Sequence, residues 1–226
     1  MNEGANIYLK PLSKKWWENV WYYYKGFIIG GIIALAFIVF FLVECAMNVT
    51  ADFTVTYIGG LDAMGQIQAY QLEDEFSAIT DDIDGDGHKK ASFNVTYLDK
   101  SAANDGMSAM FNSADIELAG GDSVVLLFDE EFLERYAEYG FEDLSKYVEE
   151  FNVDESLLKR YDDGRVYAIQ MSANPVFTKL EDIDTTKLYL TVRPLRPNEK
   201  GKWQKKNYEN GVRMARYIIS GATVTP

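Results

Sequence analysis

Residues 81–90 read DDIDGDGHKK, which sets Asp82, Asp84 and Asp86 at alternate positions ahead of Gly87. Carboxylates at that spacing are how a loop wraps hard oxygen ligands around calcium. The three aspartates match the first three ligand positions of an EF-hand-type loop, Gly87 matches its glycine, and the carbonyl of His88 stands where the fifth contact falls. Position 12 falls on Phe93, which has no side-chain oxygen, so Asp81 or an acid elsewhere in the fold must complete the shell. The expected metal set is therefore Asp82, Asp84, Asp86 and His88, with calcium as the cofactor. The alternative is a solvated turn, because Asp and Gly favour turns without any ion. Four carboxylates within six residues repel one another, and a divalent cation relieves that repulsion.

Little else in the chain offers a reaction. One cysteine, Cys45, and one histidine, His88, exclude an intrachain disulfide and a Cys/His zinc cluster. A histidine-based triad would have to use His88, which reads as a solvated turn residue. Residues 120–122 (GGD) share three letters with a diguanylate-cyclase signature, but Ser-Val follows where Glu-Phe belongs, so a helix-to-strand turn is expected there. The NVT sequons at Asn48 and Asn94 arise by chance as easily as by design. No carboxylate pair stands out for glycosidase work.

The elements that must position the acidic loop form an α/β rhythm. Residues 52–60 (DFTVTYIGG) and 91–99 (ASFNVTYLD) alternate as strands, and between them 64–79 carries Ile67, Tyr70, Phe76 and Ile79 near helical spacing. That spacing turns Glu73, Asp74 and Glu75 to solvent. A helical stripe over 103–118 uses Met107, Met110, Phe111, Ala114 and Leu118. The unbroken apolar run 123–129 (SVVLLFD) predicts a strand covered on both faces. Asp129 is placed to cap a helix through Phe132, Leu133, Tyr136 and Ala137 that stops at Gly140. Strands over 164–172 and 187–195 and a closing helix over 202–220 complete one three-layer α/β domain with a parallel or mixed sheet.

Ahead of this domain, residues 26–43 (GFIIGGIIALAFIVFFLV) carry no charge, and 18 helical residues span about 27 Å, close to a bilayer's hydrocarbon thickness. The reading is a cytoplasmic aromatic and basic tail over 1–25, a transmembrane helix over 26–45 and an extracytoplasmic domain over 46–226. Trp16, Trp17, Trp21 and Tyr22 to Tyr24 form an interfacial belt, and Lys10, Lys14, Lys15 and Lys25 lie on that side, against Glu44 on the other. The positive-inside rule then puts the amino terminus in the cytoplasm of a single-pass cell-membrane protein. No A-x-A pattern follows the apolar run, so an uncleaved signal anchor is expected. Cys45 in FLVEC resembles a lipoprotein box, but Glu44 occupies the place of its small residue, which leaves lipidation as an alternative.

Charge is unevenly spread. Net charge is −13, which excludes nucleic acid as a partner because phosphate binding needs a positive footprint. Residues 193–226 nevertheless hold eight Lys or Arg against two acids, while 44–192 hold ten against thirty-one. The first reading is a basic helix docked on an acidic body; the second is a helix facing anionic lipid or a cell-wall polymer.

Residues 52–171 resemble the extracellular solute-binding proteins of bacterial sugar importers, of the type 2 periplasmic-binding fold. The likeness lies in ADFTVTYIGG as first strand, in ELAGGDSVVLLFDEEFLERYAEYGFEDLSKYV as helix, glycine turn, strand and short helix, and in DDGRVYAIQMS as the approach to a hinge. Members of that family close two lobes on a ligand, whereas the residues after the apolar run suffice for one lobe. The resemblance therefore implies the fold and not the transport role. The expected function is a noncatalytic binding or interaction domain, with the bilayer and another membrane or cell-surface protein as partners. An accessory or sensor subunit of a membrane complex is the alternative. A cell-surface hydrolase is a third reading, which no nucleophile–base pair favours.

Overall fold

The computed structural model describes residues 12–47, 49–60, 63–99 and 104–221, side chains at 45–47, 104, 105 and 107 excepted. Lys10 and Asn48 lie outside the described residues, as do the side chains of Cys45 and Met107. The chain divides into two compact units, Met1–Val49 and Thr50–Pro226.

Among the described residues the first unit holds one helix, α1 (Lys14–Met47). The amide of Trp16 donates to Ser13 Oγ at 3.3 Å, so a serine takes one of the donors that a helix start leaves open. The aromatic flank belongs to the same continuous helix, with edge-to-face pairs Trp16–Trp17 and Tyr22–Tyr23 at 5.0 Å between ring centroids. The span Lys14–Glu44 is long and apolar enough to cross a membrane, and none of its most apolar stretch is buried in the structure. A core helix of a soluble protein would bury at least one face.

Among the described residues the second unit is built on six strands, β1 (Phe53–Gly59), β2 (Ala91–Tyr97), β3 (Val125–Asp129), β4 (Leu158–Arg160), β5 (Val166–Gln170) and β6 (Leu188–Val192). Their order across the sheet is β2-β1-β3-β6-β5-β4. β2, β1 and β3 run parallel, and β6, β5 and β4 add antiparallel pairings, so the sheet is mixed. Helices α2 (Gln66–Ile79), α3 (Asn104–Gly120), α4 (Glu130–Tyr136), α5 (Ser145–Phe151), α6 (Pro175–Thr178) and α7 (Lys202–Ile219) cover it. From β1 the chain crosses to β2 on one side and then back over β1 to β3. Two right-handed crossovers in opposite directions must put their helices on opposite faces. They do: α2 packs with Val55, Tyr57 and Leu127 in one core, and α3 packs with Ile58, Leu126 and Phe128 in the other.

β3 is buried along its whole length between these cores. Asp129 caps α4 by accepting the Glu131 amide at 3.2 Å, and Gly140, at φ 76°, closes the 3-10 turn that follows. The α2 stripe differs from the sequence expectation. Ala69, Leu72, Phe76 and Ile79 are buried, while Ile67 and Tyr70 are 71% and 54% exposed. The observed 3-4-3 spacing is the better helical seam, and the bulk of Ile67 and Tyr70 hid the small Ala69 that packs inward. Glu73 and Glu75 are likewise not free in solvent. β2 is an edge strand, and its outward amides at Ala91 and Phe93 donate to Ser77 Oγ and Glu73 Oε1 of α2, both at 2.8 Å. Glu75 pairs with Lys179 and accepts the Tyr217 hydroxyl at 2.7 Å. The polar face of α2 thereby blocks an edge that would otherwise offer a pairing template.

The basic carboxyl-terminal segment docks on the acidic body at several points. Arg213 meets Asp81 at 2.6 Å and Arg216 meets Glu150 at 2.5 Å. Arg196 donates to the carbonyls of Leu118 and Gly121 at the end of α3, where a helix favours a cation. The most enclosed pair is Arg193 with Glu199, at 2.8 Å, with Arg193 Nε also donating to the Ser123 carbonyl. Burial raises the Glu199 pKa, but the Arg193 hydrogen bond, the Arg196 amide and the two guanidinium charges outweigh it, and the net direction is down. A depressed folded value contributes stability that is present above the ordinary glutamate pKa and is lost as pH falls through the folded one. We expect Glu199→Gln to cost roughly 3 kcal/mol at neutral pH, as breaking a buried pair does, and to flatten the acid limb of a urea-midpoint-versus-pH curve. An acid limb identical to that of the parent chain would contradict this assignment.

Candidate functional site

The acidic loop lies between α2 and β2, and two glycines shape it. Gly85 and Gly87 sit at φ 83° and 85°, a left-handed conformation that suits a residue without Cβ. Each loop aspartate then closes a short turn on the backbone. Asp82 accepts the amides of Gly85 at 2.6 Å and Gly87 at 3.0 Å, Asp84 that of Asp86 at 3.0 Å, and Asp86 that of His88 at 2.7 Å. Asp81 is tied away from the loop, its carboxylate on Arg213 and its backbone on the Asn210 side chain.

Asp52, just ahead of β1, was missed from sequence. Its carboxylate is buried and accepts the Ile83 amide at 2.7 Å and the Lys90 amide at 3.0 Å. The parallel register sets Phe53 opposite Ala91, which brings Asp52 beside Lys90 at the mouth of the loop. Oxygen atoms of Asp52, Asp82 and Asp84 converge within 4.8 Å of one another. Of the four residues expected from the motif, Asp82 and Asp84 join this cluster; Asp86 and His88 are not members of it and are exposed. Phe93, at the twelfth position, stacks against Phe76 in the core.

The donor set suits a hard cation. All three groups are carboxylates, and their spread matches what one ion spans with contacts of about 2.3–2.6 Å. The hydrogen bonds that each oxygen accepts leave further lone pairs for a metal. Thr50 donates its hydroxyl to Asp84 Oδ2, and that bond leads the causes that hold the Asp84 carboxyl below the usual aspartate range. Asp84 therefore stays ionised to lower pH than an isolated aspartate would.

A second concave region lies at the opposite, carboxyl edge of the parallel strands. Asp129, Glu130, Glu131 and Lys187 line a hollow of about 340 Å³. Open α/β sheets bind ligands outside the carboxyl ends of strands where the crossovers diverge, here between β1 and β3. The close approach there is tight, since a Cβ at Gly59 would stand 2.6 Å from Asp129 Cβ. Glu130 accepts the Tyr189 hydroxyl at 3.1 Å and pairs with Lys159 at 3.3 Å. Burial first, and then the Glu130 carboxylate, push the Tyr189 phenol up to about 12, so it stays a neutral donor.

No family model matches the chain, and no curated protein matches it. Among solved structures it is similar to an ABC substrate-binding protein from Listeria monocytogenes in complex with cycloalternan. The two are 23% identical with a TM-score of 0.30, over 51% of this chain and 28% of that one. The chain thus spans under a third of the length of that protein.

Proposed function

We propose that this chain is a single-pass membrane protein whose α/β unit acts outside the membrane as a noncatalytic binding or interaction domain. The observation that carries the reading is α1, a helix apolar enough to cross a bilayer with no part of its apolar stretch buried by protein. Lipid is the natural cover for such a surface. Lys14, Lys15 and Lys25 stand on the amino side of the apolar run and Glu44 on the other, which favours a cytoplasmic amino end. The mixed-sheet α/β architecture supports reading this unit as resembling a single solute-binding lobe. Its carboxyl-edge hollow is lined by Asp129, Glu130, Glu131 and Lys187, a charged lining that suits a polar macromolecular partner better than an apolar small molecule. A calcium ion on Asp52, Asp82 and Asp84 would serve stability in this reading, because those residues join the start of β1 to the loop before β2.

The test is topology. Protease added to spheroplasts should digest the chain after residue 49 and leave a protected fragment that contains the Trp16–Trp17 flank. Protection of the α/β unit until the membrane is permeabilised would overturn the orientation, and release of the whole chain by alkaline carbonate would overturn the anchoring.

A further inference from the structure

The opening turns of α7 hold Lys202, Lys205 and Lys206, with Lys200 two residues earlier, and none of their ammonium groups has an acidic partner among the described residues. Most other described cations of this unit are partnered, Lys89 excepted. Lys159, Arg160, Arg165, Lys179, Arg213 and Arg216 each meet a carboxylate, and Arg135 and Lys146 sit over aromatic rings. Acids exceed bases by thirteen in the whole chain, so counterions for four more lysines are plentiful. The helix does not gain from them either, since cations at a helix start oppose its dipole. Lys200, Lys202 and Lys205 are exposed, Lys206 is half-buried, and Trp203 stands half-buried in their midst. Lysines around a tryptophan make the residue pair that sits at the headgroup level of a bilayer.

The patch lies at one edge of the α/β unit. Asn207 donates to the Asp122 carbonyl just ahead of β3, and Lys206 lines a small hollow with Asp81 and Asp82. Thr50, where the chain enters the α/β unit, bonds to Asp84 of the same loop. The lysines therefore share the amino edge of the sheet with the point of chain entrance. In the sequence only five residues separate Met47, at the end of α1, from Phe53. On this edge Asp81 is engaged by Arg213, and Asp82 and Asp84 accept loop amides, while Glu209 lines the hollow beside Lys206. We propose that the Lys200–Lys206 segment of α7 is a membrane-contact surface that binds anionic lipid headgroups and seats the α/β unit on the bilayer. This rests on the anchored reading above and adds to it a second, electrostatic attachment.

The experiment uses the full chain in Cys45→Ser background, labelled through Asn198→Cys with an environment-sensitive fluorophore and reconstituted into vesicles. Each lysine at an anionic surface multiplies partitioning about fivefold, so the label should blue-shift and be quenched by spin-labelled lipid in phosphatidylglycerol-containing vesicles. Pure phosphatidylcholine, high salt, or the triple variant Lys202→Gln, Lys205→Gln, Lys206→Gln should each abolish the effect, while Lys159→Gln should leave it intact. A label that stays water-exposed in both lipid compositions, in a chain that resists carbonate extraction, would overturn the lipid contact and leave the anchoring standing. A chain extracted by carbonate would end both. A label that ignores the vesicles but responds to soluble polyglycerol phosphate would assign the patch to an anionic polymer and overturn the lipid proposal.

Discussion

Asp52→Ala should destabilise the α/β unit by about 4 kcal/mol, since each hydrogen bond to a charged group contributes roughly 1.5–3 kcal/mol. Two amides, those of Ile83 and Lys90, lose their acceptor at once, in a position where Asp52 itself is only 2% exposed. Against a total of about 5–15 kcal/mol for an ordinary domain, this is a large fraction. Asp52→Asn keeps one acceptor oxygen and turns its amide group toward the other donor, so it should fall between the parent and alanine. Urea unfolding of the full chain in detergent reads the total, and amide hydrogen exchange locates it. Ile83 and Lys90 should exchange faster in both variants, with a larger change in alanine. An unfolding midpoint unmoved by Asp52→Ala would mean that the loop is not held through this carboxylate.

The prominence of Asp52 shows where the sequence is readable and where it is not. Alternating and continuous apolar runs mark β1, β2 and β3 because burial on one or both faces leaves a period that survives in the sequence. The glycine stop at Gly140 and the Asp129 cap are local chemistry and are visible for the same reason. The place of β6 between β3 and β5 is not, because it depends on antiparallel pairing across more than sixty residues, such as Val125 with Val192. β4, three residues long, is too short for any period. At the site, the D-x-D-x-D-G spacing names the loop but not which carboxylates converge. Convergence is set by the β1–β2 register, which delivers Asp52 from about thirty residues upstream. The one local hint is an acid directly ahead of an alternating strand in TADFTV, a place where a side chain is drawn into the sheet end. The fate of α2's acids follows from the same nonlocality: Glu73 looks solvent-facing until an edge strand with open amides is laid beside it.

Calcium should raise the melting temperature of the α/β unit, and a neighbouring position isolates the cause. A ligand at 100 times its dissociation constant adds about 2.7 kcal/mol to stability, which for a domain of this size is a shift of roughly 5–10 °C. The ion would tie the start of β1, through Asp52, to the loop that leads into β2, through Asp82 and Asp84. Those segments are held otherwise by a few hydrogen bonds to Asp52, Asp82 and Asp84, so the gain should appear as slower exchange at Ile83, Gly85 and Gly87. Asp84→Ala is the clean variant. Its side chain is exposed, so the apo protein should melt close to the parent, yet the calcium shift should vanish. Asp52→Ala, in contrast, lowers both curves. Magnesium prefers a near-octahedral shell and keeps its waters, so it should give a smaller shift than calcium. Because the Thr50 bond keeps the Asp84 carboxyl low, the calcium effect should persist into mildly acidic buffer and fade only as pH drops through the aspartate range. Identical melting curves in calcium and in chelator would identify residues 81–90 as an acidic turn that its own backbone amides satisfy.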